Sequence, residues 1–122
     1  MANIPEYVEQ IKVVHWIRSK TNLKVIHIAN EGKRSHVQGS LMKRMGLTKG
    51  VADLFLPQRC GEYSGMWIEM KSSSGKLSLE QSSFLKEMTE LGYLAVACWG
   101  SESAINIIQE AYDLKFDNNH QQ

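Results

Sequence analysis

The chain is 122 residues long, 43% hydrophobic and 22% charged, which fits a single soluble domain able to bury its own core. No apolar run reaches the roughly 18 residues that span a bilayer, and the polar opening MANIPEYVEQ is not read as a secretory signal. Cys60 and Cys98 form neither a disulfide framework nor a metal-ligand spacing, so an intracellular, reducing setting is expected. The net charge of +1 is unevenly spread: eight Lys or Arg face three acids between Gly32 and Lys76, a net +5 that leaves −4 elsewhere. Such a basic region can attract phosphates, although a solvated charged surface would look the same.

Taken in chain order, the first predicted element is a helix from Pro5 to Ser19, with Asn3 as N-cap and an apolar face of Ile4, Val8, Ile11, Val14 and Ile17. Lys24 to Ala29 (KVIHIA) reads as a strand, and Asn30 to Arg34 as a loop. Ser35 to Met45 reads as a short helix stopped at Gly46. Gly50 to Pro57 (GVADLFLP) and Met66 to Ser72 (MWIEMKS) read as two strands joined by a short connection, hence antiparallel. Ser78 to Leu91 is a helix capped by Ser78 and ended by Gly92, with Phe84, Leu85, Met88 and Leu91 as its stripe. Tyr93 to Trp99 (YLAVACW) is a buried strand reached through that crossover helix, and Ser101 to Tyr112 is a final amphipathic helix. The expected fold class is α/β, a mixed sheet flanked by helices in the order α-β-α-β-β-α-β-α. One domain over 1–115 and a frayed tail over 116–122 are expected.

The chemistry concentrates on the central strand pair. Side chains alternate along a strand, so Glu69 and Lys71 share one face of MWIEMKS while Ile68 and Met70 share the other. Asp53 is the only charge between Val51 and Pro57. If the strands pair, Asp53 and Glu69 lie close enough to share a cation, for which Mg²⁺ suits an all-oxygen site. A structural set of ion pairs is the plainer reading of the same residues. Gln81, three residues after Ser78, fits a capping box. Glu6 fits a first-turn acid favoured by the helix dipole. Trp16, Trp67 and Trp99 are expected to pack in or near the core and not against bases.

The ordered set N-E-G-K-R (30–34), L-M-K-R-M-G-L-T-K-G (41–50), G-V-A-D (50–53), W-I-E-M-K (67–71) and S-G-K-L-S-L-E-Q-S-S-F-L-K-E-M-T-E-L-G-Y (74–93) resembles the virus-type replication-repair nuclease (VRR-NUC) family of the PD-(D/E)XK superfamily. The resemblance spans roughly Glu6 to Ile108. It implies Asp53 and Glu69 as metal ligands, the Met70 backbone carbonyl as a further ligand, and Lys71 as the lysine acting on water and phosphate. It also implies a catalytic part for Gln81 and a supporting metal role for an acid of the first helix, Glu6 ahead of Glu9. Ala52 stands where the family usually has proline.

The activity so implied is Mg²⁺- or Mn²⁺-dependent hydrolysis of DNA phosphodiester bonds, with Lys33, Arg34, Lys43, Arg44, Lys49 and Lys76 as phosphate contacts. Its stand-alone members resemble homodimeric Holliday-junction resolvases, which makes a four-way junction the expected substrate. The alternatives are a flap, nicking or restriction-type endonuclease on the same site, or an idle DNA-binding module.

Overall fold

The computed structural model describes residues 4–29 and 36–114, the side chains of 36 and 37 excepted. The expected Asn3 cap, the loop residues Lys33 and Arg34, and the tail from 116 to 122 lie outside the described residues. The described elements are α1 (Glu6–Lys20), β1 (Ile26–His27), α2 (His36–Arg44), β2 (Leu54–Leu56), β3 (Met66–Lys71), α3 (Leu79–Glu90), β4 (Leu94–Trp99) and α4 (Ser101–Ala111). Their kinds and order are those expected from the sequence. None of the described helices is long and apolar enough to cross a membrane.

The four strands form one mixed sheet in the order β1-β2-β3-β4. β1 and β2 are antiparallel, β2 and β3 are antiparallel, and β4 runs parallel to β3 after the α3 crossover. The register Phe55↔Trp67 between β2 and β3 continues, two residues on, to Asp53 opposite Glu69. The two odd-numbered rows therefore meet on one face of the sheet.

That alternation separates two packing regions. Leu54, Leu56, Met66, Ile68, Met70 and Cys98 point into the main core against Val13 and Ile17 of α1 and Ala104 and Ile108 of α4. On the opposite face Ala52 packs with Phe84 and Leu85 of α3, joined by Trp67, Ala95 and Ala97. An aromatic cluster fills the far end of this second face, with Phe55 and Trp67 centroids 4.4 Å apart and Phe84 meeting Trp67 edge-on at 5.0 Å.

The helix ends follow local chemistry. Ser78 Oγ accepts from the Gln81 N–H at 3.1 Å while Gln81 Oε1 accepts from the Ser78 N–H at 2.8 Å, a complete capping box. Gly46 and Gly92 close α2 and α3 at positive φ, with Leu47 N–H and Tyr93 N–H reaching back to the Met42 and Met88 carbonyls.

Several expectations need correction. Pro5, not Asn3, occupies the N-cap position of α1 at φ −57° and ψ 146°. The residue before a proline is kept out of helical geometry, so Ile4 cannot lead the helix in. The expected apolar face of α1 is rotated: Val13 and Ile17 are buried while Ile11 is 61% exposed. The inward stripe at 6, 13 and 17 replaces an apolar residue by Glu6 at its head. Leu91 is exposed at the C-cap instead of completing the α3 stripe. β1 and β2 pair over far fewer residues than the apolar runs suggest, because strand propensity alone does not say where a ladder ends. β4 is an edge strand, half-buried over Leu94 to Ala97, and its last residue Trp99 is exposed rather than in the core.

Candidate active site

The cleft on the α3 face is assembled from α1, β3, α3 and the segments that follow β1 and precede β2. It has a volume of about 330 Å³ and is lined by Glu6 of α1, Ile28, Gly50, Val51, Asp53, Glu69 and Lys71 of β3, and Gln81 of α3. Asp53 enters it from the residue just before β2. Its Oδ2 accepts the Met70 N–H at 2.8 Å, so a side chain takes over the ladder where the strand begins. The Asp53 backbone is fixed on the other side, its carbonyl accepting the Ile28 N–H at 2.9 Å.

Gly50 makes this approach possible. It sits at φ +83°, and a Cβ there would collide with the Glu80 carbonyl and lie 2.7 Å from the Gln81 nitrogen. Only glycine lets the chain entering Asp53 press against the first turn of α3. Ala52, fully buried between the two, is small enough for the same closeness.

Glu69 is 2% exposed. Its Oε2 accepts from Gln81 Nε2 at 3.1 Å and lies 3.6 Å from Lys71 Nζ, while Oε1 is buried with no hydrogen-bond partner. Gln81 thus caps α3 with its oxygen and contacts Glu69 with its nitrogen. Burial pushes the Glu69 carboxyl up to about 8, reinforced by the charge of Asp53 and opposed by Lys71. The charge of Glu6 pushes in the same direction. The site therefore carries more negative charge than Lys71 balances, and it takes up a proton where a cation would serve.

Glu6, Asp53 and Glu69 each place a carboxylate oxygen within 4.8 Å of the others. This donor set is all oxygen, the type that hard divalent cations take, and the unpartnered Glu69 oxygen is a group such a cation would satisfy. The structure brings Glu6 to the cluster and not Glu9. The Glu9 Oε1 atom instead accepts the Ser101 N–H at 3.2 Å, capping α4 from a different helix. Nothing in the spacing of 6 and 9 distinguishes them; the choice comes from how α1 lies across the sheet.

Of the basic residues, Lys43 and Lys49 line a groove of about 650 Å³ with Gly46, Leu47 and Thr48. Gly50 lines both this groove and the carboxylate cleft, so the two are neighbours. Arg44 and Lys76 are exposed but border neither. Sequence reasoning gave no role to Gly50 or to the Glu9 cap. The positive-φ demand at Gly50 had a signal in the turn glycine itself; the Glu9 contact, between residues 9 and 101, had none.

The VRR-NUC domain model matches residues 4–102. A solved structure described as a VRR_NUC domain protein superposes with a TM-score of 0.79 at 26% identity, covering 96% of each chain. No curated protein matches the chain. With nearly the whole described fold accounted for, the chain belongs to the VRR-NUC domain family, a membership that implies a nuclease of the PD-(D/E)XK type.

Proposed function

We propose that this chain is a Mg²⁺- or Mn²⁺-dependent DNA endonuclease acting inside the cell on branched DNA, with a four-way Holliday junction as substrate and a homodimer as working form. The observation that carries the cation-dependent chemistry is the convergence of Glu6, Asp53 and Glu69 beside Lys71 in one cleft. The nuclease domain occupies 1–115, with 116–122 as its tail.

Asp53 and Glu69 would hold the cation, with Glu6 at the margin. The Met70 carbonyl would join them: a strand residue directs its N–H and C=O to the same side, and the Met70 N–H already meets Asp53. A bound Mg²⁺ or Mn²⁺ supplies Lewis acidity towards a phosphate oxygen and makes a water more acidic. Lys71, 7% exposed and held against Glu69, orients the attacking water and offsets charge on the phosphate. Gln81 keeps the Glu69 carboxylate from rotating away. Hydrolysis leaves 5′-phosphate and 3′-hydroxyl ends. Lys43 and Lys49 in the adjoining groove, with Arg44, Lys76, Lys33 and Arg34, contact the phosphate backbone, so DNA shape counts for more than base sequence.

The junction and the dimer rest on the family resemblance and on symmetry. A two-fold dimer presents two sites to two strands, which is what cutting a four-way junction in pairs requires.

The test is a cleavage assay on four-way junction, flap, linear duplex and single-stranded DNA in Mg²⁺ or Mn²⁺, with EDTA and Lys71→Ala as controls. Paired symmetric cuts in the junction, abolished by either control, are expected. Cutting of flaps or duplex alone would keep the site and discard junction resolution. No cation-dependent cleavage on any substrate would discard the nuclease reading.

A further inference from the structure

Trp99 stands at the end of the edge strand, in register with Lys71 of β3. In β4 the even-numbered residues Leu94, Val96 and Cys98 face the main core and the odd-numbered Ala95 and Ala97 face α3. Alternation therefore puts Trp99 on the same face as Glu69 and Lys71, one strand over. Ala95 and Ala97, beside Trp67 and Glu69, are small; the residue beside Lys71 is the largest side chain available.

The indole is held and yet open. Its Nε1 donates to the Gly75 carbonyl at 2.7 Å, and the residue is still 45% exposed. Gly75 lies against the Lys71 stem, where a Cβ would come within 3.3 Å of Cδ. The exposed Lys76 follows directly. A half-exposed tryptophan leaves apolar surface in water, which a brace for the loop between β3 and α3 does not require. A ring already fixed by its own N–H loses little freedom on binding a flat partner.

We propose that Trp99 is a stacking platform for an unpaired nucleobase of the DNA strand entering the Lys71 side of the cleft. The inference rests on the DNA nuclease reading and adds a substrate determinant to it. Paired B-form DNA keeps its base faces inside the stack; a base at a branch or in a single strand presents one. Stacking on an aromatic face tolerates any base, so the platform recognises unpairing and not sequence. Lys76, next to the loop carbonyl that holds the ring, is placed to meet the phosphate of the same nucleotide.

The experiment measures binding, in Ca²⁺, of the full chain to a fork with unpaired arms and to a fully paired duplex of equal length, by fluorescence anisotropy. Wild type, Trp99→Leu and Trp99→Phe are compared, with thermal melts verifying that each is folded. Trp99→Leu keeps apolar bulk without a ring and is expected to bind the fork about 5- to 150-fold more weakly while binding the duplex like wild type. Trp99→Phe keeps a ring, loses the bond to Gly75, and should retain most of the fork affinity. A 2-aminopurine in the unpaired arm should be quenched by wild type and Trp99→Phe, and not by Trp99→Leu. Equal losses on fork and duplex, or a Phe variant as weak as the Leu variant, would show the indole to be only a brace for the Lys71 loop and overturn the inference. Wild type binding DNA with Trp99→Leu unaffected overturns stacking alone; wild type binding no DNA overturns the nuclease reading along with it.

Discussion

β3 serves two regions of the molecule with one run of six residues. Its even-numbered side chains, Met66, Ile68 and Met70, are fully buried in an apolar core shared with α1 and α4. Its odd-numbered side chains, Trp67, Glu69 and Lys71, face α3 and change from aromatic to charged along the strand. On the first face these side chains pack against apolar residues of α1 and α4, and their burial stabilises the fold. On the second, Glu69 and Lys71 are buried almost as deeply, yet one carboxylate oxygen has no partner and the carboxyl holds its proton to about 8. The contrast teaches that burial has different consequences on the two sides: one face is satisfied as it stands, and the other keeps a buried carboxylate oxygen without a partner.

Substitutions should separate the two faces. Ile68→Ala, on the satisfied face, is expected to cost about 2–5 kcal/mol, read as a lowered denaturant midpoint with Mg²⁺ present or absent. Lys71→Ala, on the other face, should lower the cleavage rate on the order of 100- to 1000-fold while the midpoint moves far less, because it removes one pre-placed charge from the reaction. Comparable loss of stability from both variants would erase the distinction.

A smaller effect is expected from pH. The folded-state carboxyl of Glu69 sits at about 8, well above its ordinary 4.5. The folded chain therefore binds a proton that the unfolded chain has released, and the stability this gives is fully present below about 4.5 and lost as pH rises through about 8. On the proposed reading, Ca²⁺ held at these carboxylates would replace that proton, so its rise in melting temperature should be larger at pH 8 than at pH 6. A Ca²⁺ effect that is the same at both values, or larger at pH 6, would contradict proton–cation exchange at Glu69.

The smallest effect expected is at the cap. Ser78→Ala should cost about 1 kcal/mol, since one first-turn N–H loses its acceptor. Because Gln81 belongs to the same box and also holds Glu69, the variant should in addition weaken cation binding. An unchanged cation affinity would show that the Ser78 N–H and Glu69 contacts are enough to hold the Gln81 side chain.

The parts of this fold legible in the sequence are those written in local chemistry. Ser78, Gln81 and Gly92 mark both ends of α3, and alternation within MWIEMKS places Glu69 beside Lys71 before any tertiary contact is known. The antiparallel β2–β3 pair follows from a short connection, and with it the meeting of Asp53 and Glu69. Features set by tertiary placement were not legible. The rotation of α1 that turns Glu6 inward depends on packing against β3 and α4, and an apolar count favoured Ile11 over it. Trp99 looks like core by composition and is exposed because β4 lies at the edge of the sheet, which strand propensity does not encode. Whether Glu9 or Glu6 joins the cluster was open for the same reason.

The most direct test of the central claim is calorimetric titration of Mn²⁺ into wild type, Asp53→Asn and Lys71→Ala near pH 7. Asparagine keeps an oxygen for the Met70 N–H, so this variant removes charge and leaves the β2–β3 contact in place. The account predicts that wild type binds Mn²⁺ with release of protons, that Lys71→Ala still binds it, and that Asp53→Asn does not. Binding by Asp53→Asn equal to wild type would show that the carboxylates in this cleft are not where the cation is held.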